Sequence, residues 1–448
     1  MSKSGNLNIQ IALGLSAGSA LIYEVVATNF LFFYFTESSY SIATVLSIFL
    51  LGLGIGSLFV YKFEQKIANK RSFFSILQIS TALYSFLVLA NLSEIISKIS
   101  NTGIYATSFA VLIIPTIFLG AVFPLASSMF KKEEKDVVGL VYFSDLMGAI
   151  AGALIAGFFV IPRFGNTAAV MVGLSFNLLS SIFVESGRKK IFPLVFLILS
   201  LIGFFKAIDI KNSGYQFFKP SPFGEVSIKN NALSINGREQ CSLTYPKDTT
   251  ERTIADQAIL SFKTKDLKVL NIGLGCGLTL SRILDLVSPR VDVVEINPVI
   301  VQANRQLSGV LESPRVNLIV DDGLNYLKKT GKTYDVIIID VEHPDVAHSS
   351  NLYTVEAFKL AAEALSDEGV LGFWNYEVGG PYLDILYYTL KESFLFVYQL
   401  EGMNVASKQK LAGRAEYIPK TPYAVNTLDH KILIDAYLES IEPIQKPK

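Results

Sequence analysis

The chain has 448 residues, of which 51% are hydrophobic and only 17% are charged, so it is too apolar on average for one water-soluble domain. Its formal net charge is zero, which argues against a nucleic-acid-binding protein that depends on neutralising phosphates. The three histidines are too scattered for a zinc motif, and the two cysteines, Cys241 and Cys276, give no disulfide framework and no metal-ligand spacing. We therefore expect no metal site and no disulfide.

The excess of apolar residues lies before about Lys206. Seven apolar segments there reach or approach the ~20 residues that a helix needs to cross a bilayer. They lie at residues 7–35, 41–61, 72–90, 104–130, 138–161, 166–184 and 191–205. The last is marginal, because about 15 residues of helix cover only ~22 Å. The sequence thus predicts a multi-pass α-helical domain over residues 1–207, placed in a lipid bilayer.

Small residues recur within these segments and predict close helix packing. They are Gly52, Gly54, Gly56 and Ser57, and later Gly148, Gly152 and Gly157. Two acids also lie in apolar segments, Glu24 and Asp145. A carboxylate in a bilayer costs on the order of 3 kcal/mol, so each needs a partner or a wet cavity. Hydrogen bonds between helices and a cavity for organic amines both remain open.

The remaining chain predicts two folded parts and a tail. Residues 213–246 are rich in turns and alternate, with a β-hairpin around Lys229-Asn230-Asn231. Residues 247–402 alternate apolar strands with helices, which predicts a Rossmann-like α/β domain with a parallel sheet. Residues 403–448 form a C-terminal extension with one surface helix, LDHKILIDAYLESI.

Ligands of such sheets bind beyond the carboxyl ends of the strands. The strand KVLNI runs into a glycine loop with Gly273, Gly275 and Gly277. Glu295 ends the next strand about twenty residues on, where a carboxylate accepts hydrogen bonds from ribose hydroxyls. NAD and an adenosyl sulfonium both fit these features. Asp322-Gly323 after the third strand favours the adenosyl group, since a carboxylate there suits the adenine amino group. Glu295 as a surface strand end and Asp322 as a helix cap are the alternatives.

Asp340 ends the apolar strand YDVIIID. The polar stretch that follows, VEHPDVAHSSNLYTVEAF, is long for a connection and is typical of a lid. Asp340, Glu342 and Asp345 together would attract a cationic amine, and a carboxylate would accept its proton before transfer. A solvated acidic loop is the alternative.

The soluble half, from about Tyr215 to Leu400, resembles the spermidine synthase family of aminopropyltransferases. The apolar half, with ALIYEVV, FLLGLGIGSL, PTIFLGAVFPL and MGAIAGALIAG, looks like the anchor of membrane-fused members. The resemblance implies that Glu295 holds the ribose, that Asp322-Gly323 meets the adenine and that Asp340 is the catalytic base. It also places Gln240 near the donor. On the substrate side it places Glu251 at the start of a helix, and Glu342, His343 and Tyr353 in the lid.

The sequence departs from the family at the amine side. Cys276 stands where the glycine loop of the family carries an aspartate that helps to hold the ammonium of the donor. His343 replaces a second aspartate of the lid, and Ile254-Ala255 replaces a tyrosine–histidine pair. The contacts to the donor nucleoside are therefore kept, while those to the amine are altered.

We expect an aminopropyltransferase that uses decarboxylated S-adenosylmethionine and an amine, putrescine or another polyamine. The alternatives are a methyl- or aminocarboxypropyl-transferase using S-adenosylmethionine, and a non-catalytic membrane sensor or transporter of polyamines or nucleosides. No metal and no nucleic acid is expected, and homo-oligomers are compatible with the family.

Basic residues predict the orientation. They follow the second, fourth and sixth apolar segments: Lys62, Lys66, Lys70, Arg71, Lys131, Lys132, Lys135, Arg188, Lys189 and Lys190. These connections should face the cytoplasm. If residues 191–205 also crossed, the second half would lie outside, away from a donor made in the cytosol. We therefore expect either that this segment does not cross fully or that the number of crossing helices differs by one. In both cases the catalytic domain is expected to lie on the cytoplasmic face of the inner membrane.

Overall fold

The computed structural model describes residues 3–31, 38–89, 101–130, 137–244, 250–341, 349–374, 381–400, 402–419, 422–429, 433 and 436. The chain divides into two compact units, Met1–Glu225 and Val226–Lys448, and the division falls inside a strand. The predicted order of a helical region, a small β-sheet and a Rossmann-like domain is confirmed.

Most of the described part of the first unit consists of long helices. They are α1 (Lys3–Leu31), α2 (Ser38–Phe63), α3 (Lys70–Leu89), α4 (Asn101–Ser127), α5 (Val137–Leu154), α6 (Ile161–Val184) and α7 (Ile191–Ser213). A π-helical segment, Ile155–Val160, joins α5 to α6. Five stretches of the described residues are long and apolar enough to cross a membrane.

The last of these five stretches, Gly139–Val184, has 46 residues, about twice what one crossing needs. Gly165 breaks it, because its φ of 82° and ψ of 177° are not helical. The break divides the stretch into the two segments that the sequence predicts. The following helix α7 has 23 residues and continues past the predicted end of the seventh segment.

Glycines bring α1 and α5 into backbone contact. A Cβ atom on Gly148 would lie 1.9 Å from the carbonyl oxygen of Gly14, and one on Gly152 would lie 2.1 Å from that of Gly18. Gly14 faces Gly148, and four residues later on each helix Gly18 faces Gly152. The two helices therefore run in the same direction. Two small residues four positions apart on each helix allow this approach, the arrangement that suits helices in lipid.

Glycines also bring α2 and α4 into backbone contact. A Cβ atom on Gly56 would lie 2.0 Å from the carbonyl oxygen of Ile117, and one on Gly120 would lie 2.4 Å from that of Leu53. Gly54 meets nothing within 4 Å, and neither does Gly157. The predicted packing role is therefore present at Gly56, Gly148 and Gly152 but not at Gly54 or Gly157.

Buried polar side chains connect α1, α3 and α6. The Asn177 amide nitrogen donates to the Tyr23 hydroxyl at 2.9 Å, and the Ser19 hydroxyl donates to the Asn177 oxygen at 2.5 Å. The Gln78 amide nitrogen donates to the Ser16 hydroxyl at 2.6 Å. Polar groups in apolar surroundings are costly without partners, so these bonds specify which helix faces meet.

A four-stranded sheet, in the order β1-β2-β3-β4, precedes the main sheet along the chain. Its strands are β1 (Phe217–Ser221), β2 (Gly224–Lys229), β3 (Ala232–Ile235) and β4 (Arg238–Ser242). The predicted hairpin is confirmed, because β2 pairs antiparallel with β3. Asn230 and Asn231 turn the chain with φ of 52° and 61°, as a two-residue hairpin turn requires.

The second unit contains a seven-stranded sheet with helices between the strands. The elements are α8 (Thr250–Ile259), β5 (Val269–Ile272), α9 (Leu278–Leu286), β6 (Val291–Glu295), α10 (Pro298–Leu307), β7 (Val316–Val320), α11 (Gly323–Lys329), β8 (Tyr334–Ile339), α12 (Val355–Ala364), β9 (Leu365–Trp374), α13 (Pro381–Lys391), β10 (Phe396–Leu400) and β11 (Met403–Ser407). The strand order is β10-β11-β9-β8-β5-β6-β7.

Strands β5 to β9 are parallel, and β11 is antiparallel to both β9 and β10. Residues Met403–Ser407, which the sequence analysis assigns to a C-terminal extension, are therefore a strand inside the main sheet. The predicted surface helix LDHKILIDAYLESI lies almost wholly outside the described residues.

The glycine contacts predict different effects for two substitutions on one helix. Gly56→Ala should lower the free energy of unfolding by about 1–3 kcal/mol, because its Cβ atom would overlap the backbone of α4. Gly54→Ala should leave it unchanged or raise it by up to ~1 kcal/mol, because alanine favours the helix and meets open space. Thermal unfolding of both variants in one detergent is the measurement, and equal effects would contradict the packing role of Gly56.

Candidate active site

The carboxyl ends of β5, β6 and β8 meet at one edge of the main sheet. The Gly273 amide donates to the Val294 carbonyl at 2.8 Å, and the Asp340 amide donates to the Ile272 carbonyl at 2.8 Å. The strand that follows β5 in sequence lies on one side of it and β8 lies on the other, so the chain reverses its winding at β5. Open α/β sheets bind ligands in the crevice at such a point.

The glycine loop lies directly against the end of β8. Gly273 has φ of +100°, and a Cβ atom there would lie 1.8 Å from the Asp340 carbonyl oxygen. Gly277, with φ of +80°, is the N-cap of α9. Only glycine fits both the backbone conformation and the space at Gly273. The loop therefore brings bare backbone to the crevice.

Glu295 is buried beside this loop. One carboxylate oxygen accepts a hydrogen bond from the Leu274 amide at 3.0 Å, and the other accepts one from the Asn297 amide at 2.8 Å. The carboxylate is thus fixed between the glycine loop and the start of α10. Each carboxylate oxygen has two lone pairs, so this arrangement still suits an acceptor for ribose hydroxyls.

Two buried asparagines position the same loop, and the sequence analysis missed both. The Asn271 side chain donates to the Gly273 carbonyl at 2.6 Å, and the Asn304 side chain donates to the Gly275 carbonyl at 3.0 Å. Both are almost completely inaccessible to solvent. The signal for Asn271 is a polar residue inside the otherwise apolar strand KVLNI; Asn304 has no comparable signal.

Asp322 acts as a helix cap. Its side chain accepts a hydrogen bond from the Asn325 amide at 2.8 Å at the start of α11. Asp321 accepts from the Asn325 side chain, and this bond holds the pKa of Asp321 below its usual range. Gly323 packs against Ile272 of β5. Asp322 therefore has the role of a helix cap, which is the alternative named in the sequence analysis. Its contact with adenine stays a prediction.

The carboxylate of Asp340 is held by an indole. The Trp374 Nε1 atom donates to Asp340 Oδ1 at 2.7 Å, from the carboxyl end of the neighbouring strand β9. Trp374 is the only tryptophan in the chain. The sequence analysis missed it, although it ends the apolar strand VLGFW and so shares the position of the other site residues.

The remaining predicted site residues divide into three groups. Gln240 lies in β4 and donates to the Arg238 carbonyl at 3.2 Å. The Tyr353 ring is fully buried and contacts Phe373, so it belongs to the core. Glu342 and His343 lie outside the described residues, and Glu251 lies in α8 without a described side chain.

A disulfide joins Cys241 of β4 to Cys276 of the glycine loop, with their Cα atoms 6.0 Å apart. The expectation of no disulfide is therefore wrong. It failed because 35 residues separate the two cysteines, and only the fold brings β4 to the loop. Both cysteines are buried. The bond anchors the strand that carries Gln240 and leaves an uncharged group in the glycine loop.

A second polar cluster lies at the amino end of β6, away from this site. Asp292 Oδ2 accepts hydrogen bonds from the Tyr334 hydroxyl at 2.6 Å and from Lys332 Nζ at 2.7 Å. Its Oδ1 atom accepts from the Asn317 side chain at 2.7 Å. Burial raises the pKa of Asp292, but the hydrogen bonds from Lys332, Tyr334 and Asn317 outweigh it and hold that pKa below its usual range.

Among the described residues, no group of three or more His, Cys, Asp or Glu side chains is arranged to hold a metal ion. The polar groups at the sheet edge are instead backbone amides, the carboxylates of Glu295 and Asp340, and an indole. Such groups suit a nucleoside and a cationic amine.

Comparison with known proteins finds a similarity to one family over this region. The family model described as the spermine/spermidine synthase domain matches residues 248–375. The chain is 22% identical over 413 residues to Polyamine aminopropyltransferase 1 of Streptomyces coelicolor, covering 80% of this chain and 74% of that protein. It is 23% identical over 409 residues to the polyamine aminopropyltransferase of Corynebacterium efficiens, covering 80% of this chain and 75% of that protein.

These likenesses cover more residues than the second unit contains, so they extend into the helical unit. A shorter stretch of 113 residues is 34% identical to the polyamine aminopropyltransferase of Thermoplasma volcanium, covering 24% of this chain and 41% of that protein.

Two solved structures are also similar. A crystal structure of spermidine synthase in complex with the transition state analogue AdoDATO covers 50% of this chain and 84% of its own, with 20% identity and a TM-score of 0.39. The spermidine synthase from Thermotoga maritima covers the same shares, with 21% identity and a TM-score of 0.37.

The disulfide should stabilise the second unit. Closing a loop of 35 residues restricts the unfolded chain by about 4 kcal/mol in the chain-entropy description, and measured losses are typically about 2–4 kcal/mol. Cys241→Ser should therefore lower the denaturant midpoint, followed by the emission of Trp374. A reductant should lower the midpoint of the wild type but not that of the Cys241→Ser/Cys276→Ser variant. An unchanged midpoint in reduced wild type would contradict this role.

The Asp292 cluster predicts a pH dependence. Because the pKa of Asp292 is lower in the folded state than in the unfolded state, its stabilisation is complete above the unfolded value, about 4, and is lost as pH falls through the folded value. Asp292→Asn should reduce the slope of unfolding free energy against pH below about pH 5. The exposed Asp367→Asn is the control, and equal slopes in wild type and Asp292→Asn would refute the assignment.

Proposed function

We propose that the second unit transfers an aminopropyl group to a small amine. The match of residues 248–375 to the model of the spermine/spermidine synthase domain supports this proposal. The donor is decarboxylated S-adenosylmethionine, and the acceptor is putrescine or another polyamine. The curated relatives that match 80% of this chain are named polyamine aminopropyltransferases, which supports this class of reaction.

In this reaction the nitrogen of the amine attacks the propyl carbon bonded to the sulfonium. A C–N bond forms and the C–S bond breaks, with its electron pair going to sulfur. Methylthioadenosine leaves as a neutral thioether. The ammonium of the acceptor has to lose one proton before its nitrogen attacks, so the protein has to position the two reactants and to accept that proton.

Asp340 is the proposed proton acceptor. It ends β8 at the crevice, and its backbone lies against Gly273 of the loop proposed to hold the donor. The Trp374 indole donates to Oδ1 at 2.7 Å and so restrains the position of the carboxylate. A base has to lie in a set orientation within hydrogen-bonding distance of the proton it takes. This oriented carboxylate beside the glycine loop is the observation that carries the proposal.

The donor is proposed to lie along the glycine loop. Glu295 would accept hydrogen bonds from the ribose, Asp322 and Gly323 would meet the adenine, and Gln240 would lie near the donor. On the amine side we propose Glu251, Glu342 and His343. The buried Tyr353 would support that pocket from the core.

A second candidate donor is S-adenosylmethionine itself. Cys276 is bonded to Cys241, so this loop position carries no negative charge. An uncharged loop does not repel a donor that carries a carboxylate, which favours methyl or aminocarboxypropyl transfer.

The first unit is proposed to hold the chain in a lipid bilayer as a multi-pass membrane protein. Its helices are long enough to cross, and large apolar side chains on their outer faces are exposed, among them Leu50 at 61% and Phe158 at 71%. Surfaces of this kind are stable in contact with lipid.

The function is tested by incubating the purified full-length protein with each donor and a panel of amines, followed by identification of the nucleoside product. Methylthioadenosine formed from decarboxylated S-adenosylmethionine, together with an extended amine, supports aminopropyl transfer. Methylthioadenosine formed only from S-adenosylmethionine indicates aminocarboxypropyl transfer and contradicts the first candidate. S-adenosylhomocysteine indicates methylation and contradicts the first candidate. If neither nucleoside forms while a donor still changes the emission of Trp374, the chain binds nucleosides without turnover, and the proposed transfer is wrong.

The Asp340→Asn variant tests the base. Its kcat should fall by about 10²–10⁴-fold, because the amide cannot accept the proton, while donor binding measured by Trp374 emission should persist. Asp367→Asn removes an exposed carboxylate at the opposite end of β9 and should leave kcat unchanged. An unchanged kcat in Asp340→Asn would exclude Asp340 as the base.

A further inference from the structure

We infer that the second unit, with its candidate active site, lies on the non-cytoplasmic side of the membrane, opposite to the side expected from the sequence. The inference rests on the proposed membrane location of the first unit and not on the reaction. Two independent observations carry it: the positions of charged residues and chain ends within the first unit, and the disulfide within the second.

The basic connections lie together at one end of the helical unit. Lys70, at the start of α3, donates to Glu64 after α2 at 2.5 Å and to the carbonyl of Ser128 after α4 at 3.3 Å. Lys189, before α7, donates to Ser72 at 2.8 Å. Three connections that are distant in sequence thus meet at one end, which we call the basic end.

Basic residues concentrate in cytoplasmic connections of membrane proteins. The basic end carries Lys62, Lys66, Lys70, Arg71, Arg188, Lys189 and Lys190. At the other end, around the break at Gly165, the described chain carries one basic residue, Arg163 in the first turn of α6. The basic end is therefore the cytoplasmic end.

Helix α7 leaves the basic end and is long enough to cross. It begins at Ile191, directly after Lys190, and its 23 residues span ~34 Å, compared with ~30 Å for the hydrocarbon core of a bilayer. Phe196 and Leu197 pack against Leu174 and Leu178 of α6, so α7 runs beside a crossing helix. The expectation that residues 191–205 do not cross fully rested on the ~22 Å length of this apolar segment and on a donor made in the cytosol, whereas the helix continues to Ser213.

The chain after α7 lies at the amino-terminal end of α6, which is opposite the basic end. The Asn166 amide donates to the Glu225 side chain at 2.9 Å, and the Asn166 side chain accepts from Asn29 near the end of α1. Asn166 is separated by about 27 Å of helix from Val184, which adjoins the basic end. The second unit begins at the next residue after Glu225, and so begins on the side opposite the basic end.

The disulfide independently indicates that the second unit lies on the non-cytoplasmic side. Disulfides persist in oxidising compartments outside the cytoplasm and are rare inside it, where thiols are kept reduced. Cys241 and Cys276 are bonded in the second unit and are the only cysteines of the chain. A unit whose glycine loop is closed by a disulfide suits the oxidising side of the membrane.

The location sets a condition on the reaction. Adenosyl donors are products of cytosolic metabolism, so a donor used at this site has to cross the bilayer first. The class of step that must precede the reaction is therefore transport of a cationic adenosyl sulfonium, whereas the amine acceptor can come from outside the cell.

Cysteine labelling tests the location without measuring activity. Lys263→Cys places an exposed thiol on the second unit, and Gln65→Cys places one at the basic end. Intact cells are treated with a membrane-impermeant maleimide. We expect Lys263→Cys to be labelled in intact cells and Gln65→Cys only after permeabilisation. The reverse pattern would overturn the inference, and Asp367→Cys replaces Lys263→Cys if that variant does not accumulate.

The redox state gives a second measurement on the wild type. Cells are quenched with acid to trap thiols, and the denatured protein is treated with a polyethylene-glycol maleimide. We expect no adduct before reduction and two adducts after it, because both cysteines are in the disulfide. Two adducts without reduction would overturn the inference. Neither result depends on turnover, so this proposal and the proposed reaction can fail separately.

Discussion

The covalent bond between Cys241 and Cys276 fastens the small antiparallel sheet to the glycine loop at the carboxyl end of β5. A glycine loop is intrinsically mobile, since residues without side chains lose the most conformational freedom on folding. Here the disulfide fixes Cys276, and the side chains of Asn271 and Asn304 hold the carbonyls of Gly273 and Gly275. Any nucleoside bound along the loop would therefore meet a backbone surface that is already in place, which lowers the entropy lost on binding.

The same edge of the sheet combines rigid groups with acidic ones. Glu295 is fixed by two backbone amides, and Asp340 by the Trp374 indole. Both carboxylates are thus oriented before a ligand arrives, as efficient positioning of reactants requires. The cluster around Asp292 at the opposite edge has similar chemistry but shares its hydrogen bonds among neighbouring side chains of the fold, which makes it a stabilising element.

The helical unit follows a different physical rule. In lipid, burial of apolar surface does not drive helices together, so contact depends on close approach and on hydrogen bonds. Close approach occurs where Gly148 meets Gly14 and where Gly56 meets Ile117. A hydrogen bond between helices joins Asn177 to Tyr23. These contacts also fix the direction of each helix, and the direction of the helices determines the side on which the chain leaves the unit.

The sequence by itself determined the two-part architecture, the hairpin and the edge of the sheet where Gly273, Glu295 and Asp340 meet. Hydrophobic periodicity and strand ends are local patterns, so they can be read without a fold. The tertiary structure alone decided that Trp374 orients Asp340 and that Tyr353 is buried. It also decided that Cys241 and Cys276 are bonded and that α7 continues to Ser213. Each of these features depends on contacts between residues that are distant in sequence, or on where a helix ends. Local sequence patterns specify neither of these.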